Sequence, residues 1–150
     1  MKHLPKKKPV WELPLDLGSN CVGGRVRMLS RVVSSIYGEA FAPLDLKLSQ
    51  FSVLAVLSHQ GAVAATDLCR ILMMDKSTAS RNLQRMGRRG WISVVDRGDG
   101  RGQEISLTRE GVQFLRTAYP LWRKAQQEAT RRLGAKGLAA LTTVVERVKG

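Results

Sequence analysis

Cysteine is nearly absent: Cys21 and Cys69 are the only two in 150 residues. Two are too few for a disulfide framework, which fits a reducing compartment. Long apolar runs are absent as well. A membrane helix needs roughly 18 consecutive apolar residues, whereas FSVLAVL, Phe51 to Leu57, is a short core segment. The start, MKHLPKKKP, is basic, but no continuous apolar region follows it, so no secretory signal is read and a cytoplasmic location is expected. Histidine is limited to His3 and His59, and neither has metal-ligand spacing with a cysteine, so no metal or other cofactor is expected. No nucleophile–base pair and no carboxylate pair stands out, which argues against an enzyme. Gly98, Gly100 and Gly102 lead into a strand rather than a helix, so they do not form a dinucleotide-binding loop. Acidic residues are also few. Twelve Asp and Glu face twenty-five Lys and Arg, for a net charge of +13. Such a balance calls for a polyanionic partner, either nucleic acid or an anionic membrane surface. No strongly basic amphipathic anchor helix is present, which favours nucleic acid over the membrane.

What is there reads as one domain of mainly α structure with a small β-hairpin, preceded by a basic arm. With 43% hydrophobic residues the chain can build a core. Residues 1–18 form the arm, where Pro5, Pro9 and Pro14 prevent a regular helix and Lys6, Lys7 and Lys8 are solvated. Residues 19–150 form the domain. Ser19 or Asn20 is read as the cap of a first helix, about 19–42, in which Val22, Val26, Leu29, Val33, Ile36 and Ala40 repeat at helical period. Pro43 ends it. Ser49 is expected to cap a second helix that stops near Gly61, and a third helix runs from about Ala65 to Leu72 with Thr66 as its cap. A long helix starts at Thr108, with Leu115, Ala118, Trp122, Ala125 and Ala129 on its buried edge, a kink at Pro120 and a break at Gly134. A last helix carries Leu138, Leu141, Val145 and Val148. The stripes of the terminal helices, about 19–42 and 108–149, exceed what a small core can bury, so they are expected to pack against a second copy.

The most informative stretch is Ala64 to Thr108. A short helix and a tight connection lead into a second helix, Lys76 to Arg89, with Asp75 as N-cap at the positive end of the helix dipole. On a helical wheel Ala79, Leu83 and Met86 share an inward edge. Ser77, Ser80, Arg81, Gln84, Arg85 and Arg88 occupy the opposite arc, short hydroxyls first and arginines later. That order suits a helix entering a DNA major groove by its N-terminus. Arg81 can fork onto a guanine, and Arg85 and Arg88 can reach phosphates. Lys76 and Thr78 lie in the first turn; Lys76 reads as a phosphate contact, and Thr66 as a second phosphate donor. The alternative is a solvated basic face. The helix ends at Gly90 and two alternating strands follow, Trp91–Arg97 and Gln103–Thr108, around the tip GDGRG. Helix, turn, helix and hairpin together are a winged helix-turn-helix, spanning about 48–108. Arg101 at the tip is placed to dip into a flanking minor groove, Asp99 to orient it, and Arg97 at the hairpin base to touch backbone phosphate; the alternative is a plain turn with incidental charges. Cys69 reads as a small core residue. Cys21 lies in the first turn of the first helix, one turn before Arg25, where a thiol is either redox-active or inert.

At these residues the chain resembles the MarR family of regulators over about residues 20–150. FAPLDLKLSQFSVLAVL is similar to that family's first loop and second helix, and STASRNLQRMGRRGWI to its recognition helix and first wing strand. The Asp-x-Arg wing pattern matches Asp99-Gly100-Arg101, and ISLTREG matches the entry into the dimerisation helix, with a tip one or two residues shorter than usual. The resemblance implies a homodimeric, sequence-specific regulator on a palindromic double-stranded operator, usually a repressor, released by a small and often aromatic effector. One branch of the family senses peroxide through a cysteine near the start of the first helix, about two residues after the position of Cys21. A nonspecific architectural DNA-binding protein is the competing expectation.

Overall fold

The structure, a computed structural model, describes residues 20–98 and 102–149. These fall into two compact units, one up to Val33 and one from Ser34 onward. Helix α1, Val22–Phe41, begins in the first unit. Its N-cap is Cys21, whose Sγ accepts the Gly24 N–H at 3.4 Å, while Asn20 Oδ1 accepts from Arg25 Nη2 at 3.2 Å. The expected cap at Asn20 is therefore corrected by one residue, and Ser19 lies outside the described residues. Thiol, hydroxyl and amide side chains can all receive the free N–H groups of a first turn, so composition alone does not choose among neighbours. The helical stripe is present, but in this unit it faces outward: Val22 is 74% exposed and Val26 60%.

In the second unit α1 buries Ile36, Tyr37 and Phe41, then passes through a 3-10 turn, Ala42–Leu44, that holds Pro43. Helix α2, Leu48–Gln60, follows; strand β1, Val63–Ala64; helix α3, Ala65–Ile71; helix α4, Lys76–Arg88; strands β2, Ile92–Asp96, and β3, Gln103–Leu107; and helix α5, Arg109–Lys149. The sheet is antiparallel in the order β1-β3-β2, with Val63 opposite Ile105, Ile92 opposite Leu107 and Asp96 opposite Gln103. The hairpin thus has a third, two-residue strand that periodicity cannot reveal, because two residues show no alternation. Leu54, Leu68, Met86 and Ile105, from α2, α3, α4 and β3, are almost wholly buried and form the core of the winged helix. Each buried side chain of this size contributes roughly 1.5–3 kcal/mol.

Two further expectations are corrected. Ser49 is not a cap: α2 is capped at Lys47, whose N–H is accepted by Gln50 Oε1 at 3.1 Å. Thr66 is not a cap either, since α3 begins after Ala64 without a side-chain cap and Thr66 lies exposed inside the helix. Helix α5 runs on through Pro120, and its backbone leaves helical geometry only at the expected break, Gly134, with φ 67° and ψ 165°. A proline ring demands φ near −65°, which a helix supplies, so the helix can continue past it although the ring removes one hydrogen bond and crowds the carbonyl four residues back. A glycine in the left-handed region changes the chain's direction outright.

Candidate nucleic-acid interface

Helix α4 owes its start to Asp75. Its Oδ1 accepts the Thr78 N–H at 2.8 Å and the Ser77 hydroxyl at 2.6 Å. These hydrogen bonds, helped by the charge of Arg81, hold the carboxyl well below the usual carboxylate range. The helix is stopped by Gly90, where φ is 72°, a conformation that favours glycine. Between these ends Ala79, Leu83 and Met86 are buried. Lys76, Ser77, Ser80, Arg81, Gln84, Arg85 and Arg88 are exposed on the other side, with Thr78 half-buried. Among the described residues, none of Lys76, Arg81, Arg85 and Arg88 has an ion-pair partner. Four free cations, two serines and a glutamine on one helix face can donate to phosphate oxygens and base edges together.

Asn82 is a residue the wheel reading passed over. It is 6% exposed, and its Nδ2 donates to Ser49 Oγ at 3.1 Å and lies 3.8 Å from Met74 Sδ. One side chain therefore ties α4 to α2 and to the turn that precedes α4, where Met73 has φ 48°. The signal was in the sequence: Ala79, Asn82, Leu83 and Met86 keep the spacing of an inward stripe, with a polar residue in one place. A buried amide there needs partners, and Ser49 supplies one.

The C-terminal end of α4 is held differently. Arg89 Nη1 donates to the Asp45 carbonyl at 3.0 Å, and its other nitrogen pairs with the Asp45 carboxylate. The guanidinium carbon lies 4.9 Å from the centre of the Trp91 ring, which stacks on Phe114 at 3.8 Å. Thr108 joins the same corner, donating its N–H to Trp91 O at 3.1 Å and accepting from Gly111 N at 3.0 Å. Gly111 lies so close to β2 that a Cβ would fall 1.9 Å from Trp91 O. Only glycine fits, and the residue that leads into β2 meets α5 backbone to backbone.

On the hairpin, Arg97 is partly exposed and forms an ion pair with Glu104 of the facing strand. Asp99 and Arg101 lie outside the described residues. Beside α4 a groove of about 640 Å³ is bounded by Cys69, Ala79, Leu83 and Val94, with Ser80 and Arg88 at its polar margin. Cys69 is thus half-buried on a groove wall rather than enclosed in the core, and Val94 is 41% exposed although it shares a strand face with buried Ile92. Cys21 is exposed at the N-cap of α1. Farther from α4, Tyr37 is buried, which raises its pKa, and its hydroxyl donates to Gln126. No single helix among the described residues is long and apolar enough to cross a membrane.

A capped, outward-facing basic helix after a tight turn, backed by a three-stranded wing, defines a winged-helix DNA-binding protein. The profile of the MarR family matches residues 44–102. The multiple antibiotic resistance protein MarR of Escherichia coli is 26% identical over 129 residues, covering 85% of this chain and 90% of that one. A serine-for-cysteine mutant of the same MarR, solved with operator DNA, superposes with a TM-score of 0.77 at 25% identity, covering 91% of this chain and 99% of that one. BpsR of Bordetella bronchiseptica, solved in a study of how 6-hydroxynicotinic acid regulates its DNA binding, gives 0.75 at 22% identity, covering 87% and 95%. The chain is a DNA-binding transcriptional regulator similar to the members of the MarR family.

Proposed function

We propose that this chain is a cytoplasmic homodimeric repressor that reads a palindromic double-stranded operator and releases it on binding a small aromatic effector. The observation that carries the reading is the free basic face of α4 opposite a buried edge. In this reading Ser77, Thr78, Ser80, Arg81 and Gln84 approach base edges, with Arg81 forked onto a guanine. Lys76, Arg85, Arg88 and Thr66 hold phosphates. Arg101, oriented by Asp99, enters a flanking minor groove, and Arg97, tethered by Glu104, sits at the adjacent backbone. Residues 1–18 serve as a basic arm. The exposed stripe Val22, Val26 and Leu29, with the stripe after Gly134, supports burial against a second copy. The MarR structure with operator DNA supports the operator reading, and the ligand-regulated BpsR supports an effector. The aromatic walls of Tyr37, Phe51 and Trp122 around a cavity of about 400 Å³ suit an aromatic one. The protein acts by binding and not by catalysis.

A second reading, redox sensing through Cys21, is favoured by its exposure and by the helix N–H its sulfur accepts. The deciding experiment selects bound duplexes from random DNA and measures them in competition. A regulator prefers its selected site over random duplex by about a thousandfold or more, whereas an architectural protein shows no such preference. Peroxide treatment of the parent and of Cys21→Ser then separates the redox reading: equal retention of operator binding by both removes it.

A further inference from the structure

The outer face of α5 carries a pattern that DNA reading by α4 does not use. Arg109, Val112, Arg116, Tyr119 and Arg123 recur at spacings of three and four and fall within about 80° of the helix circumference. All five are exposed, Val112 by 38% and Tyr119 by 50%. The three arginines lie at heptad spacing, and none has an ion-pair partner among the described residues. No acidic residue occurs between Glu110 and Glu128. The contrast lies one turn beyond, where Glu128 accepts from Arg131 at 2.8 Å and from Arg132 at 2.6 Å, which holds its pKa at about 2. The same helix neutralises its basic charge in one place and leaves it open in the other.

Tyr119 adds a second, independent feature. Its ring stacks on Trp122 at 5.7 Å, and Trp122 stacks on Phe51 of α2 at 5.9 Å. An exposed aromatic that is already immobilised loses little entropy when a partner covers it. Arginine and tyrosine are also the side chains that most often dominate protein interfaces. A seam of basic residues at one heptad position and apolar residues at the other is half of a two-helix interface.

We propose that this face of α5 docks an amphipathic helix of another protein that carries Asp or Glu at heptad-spaced positions. Charge complementarity selects this occupant. A second copy laid on the same seam would set arginine against arginine. A DNA duplex would match the cations but leave Val112 and Tyr119 against phosphate. Because Tyr119 is joined through Trp122 to Phe51, the docked helix reports directly to the winged-helix unit.

The probe is a labelled, designed helix of about four heptads with Glu at each a position and Leu at each d, measured by fluorescence anisotropy against the full-length protein. The Glu peptide is expected to bind at least about tenfold more tightly than its Gln counterpart, and to weaken as salt is raised. Arg116→Glu with Arg123→Glu should lose that binding and gain affinity for a peptide with Lys at a. Arg116→Lys with Arg123→Lys should keep the preference for Glu, and Tyr119→Ala should weaken binding by about tenfold. Operator affinity of the charge-reversed protein should stay within about twofold of the parent. Equal binding of the Glu and Gln peptides, or none, overturns the proposal. So does a tenfold loss of operator affinity in the charge-reversed variant, which would make the face a DNA contact. Dissociation of that variant to the mass of one chain would make it a contact between copies and equally end the proposal.

Discussion

On α4, Ala79, Leu83 and Met86 repeat at helical period and all three are buried. On the first half of α1, Val22, Val26 and Leu29 repeat in the same way and are 74%, 60% and 36% exposed. The periodicity is equally good in both; what differs is the supply of partners. Helix α4 meets α2, β2 and the preceding turn at once, so its apolar edge is covered within the chain and its polar face is left for a ligand. The start of α1 has an edge that folding of one chain leaves wet. An apolar stripe therefore states that something will cover it, and only the structure says whether that something is the same molecule.

Breaking the α1 side of the comparison should have the largest effect. Leu29→Asp is expected to halve the mass seen by light scattering, from twice 16.6 kDa to that of one chain. It should lower operator affinity by about a hundredfold, because two half-sites then bind separately. An unchanged mass would show that the stripe is not the dimer contact. On the α4 side, Arg81→Ala should cost about 1–3 kcal/mol on the operator and relax the preference at one base pair of each half-site. Equal losses on operator and random duplex would make Arg81 a phosphate contact.

The cap of α4 sharpens the comparison further. Asp75→Ala should lower the melting temperature at neutral pH and weaken DNA binding modestly, whereas Asp75→Asn, which can still accept, should do so less. The folded pKa of Asp75 is depressed. Its contribution is therefore complete above the ordinary carboxylate pKa of about 3.9 and fades as acid carries the pH down toward the folded value. The melting difference between parent and Asp75→Ala must shrink over that acid range; a constant gap would contradict the assignment. The smallest effect is expected from Arg85→Ala. It should weaken all duplexes evenly and reduce the slope of log affinity against log salt by about 1.

The features legible in the sequence were those with a period or a local rule. The stripe of α4, its cap at Asp75, its stop at Gly90, the two hairpin strands and the break at Gly134 each follow from residues within a few positions of one another. The features that were not legible join distant residues. Strand β1 exists because β3 offers it an edge. Ser49 looked like a cap and instead serves Asn82, thirty-three positions away. Arg97 has the position of a phosphate contact, but Glu104 across the hairpin holds it. Cys69 looked enclosed because its helix position is inward, yet the groove beside α4 reaches it.

The glycine at the junction of wing and long helix fixes something that concerns the operator rather than the protein. Gly111 against Trp91 O leaves no slack between β2 and α5, and Arg89 and Trp91 fasten the end of α4 to the same corner. A small rotation of α5 is therefore expected to carry β2 and α4 with it, as one lever. In the proposed pair, two such levers hold their reading helices at a fixed separation and phase. One base pair added between half-sites shifts them by about 3.4 Å and turns them by roughly 35°. A stiff lever cannot follow that change, so the permitted spacer between half-sites should be a single length.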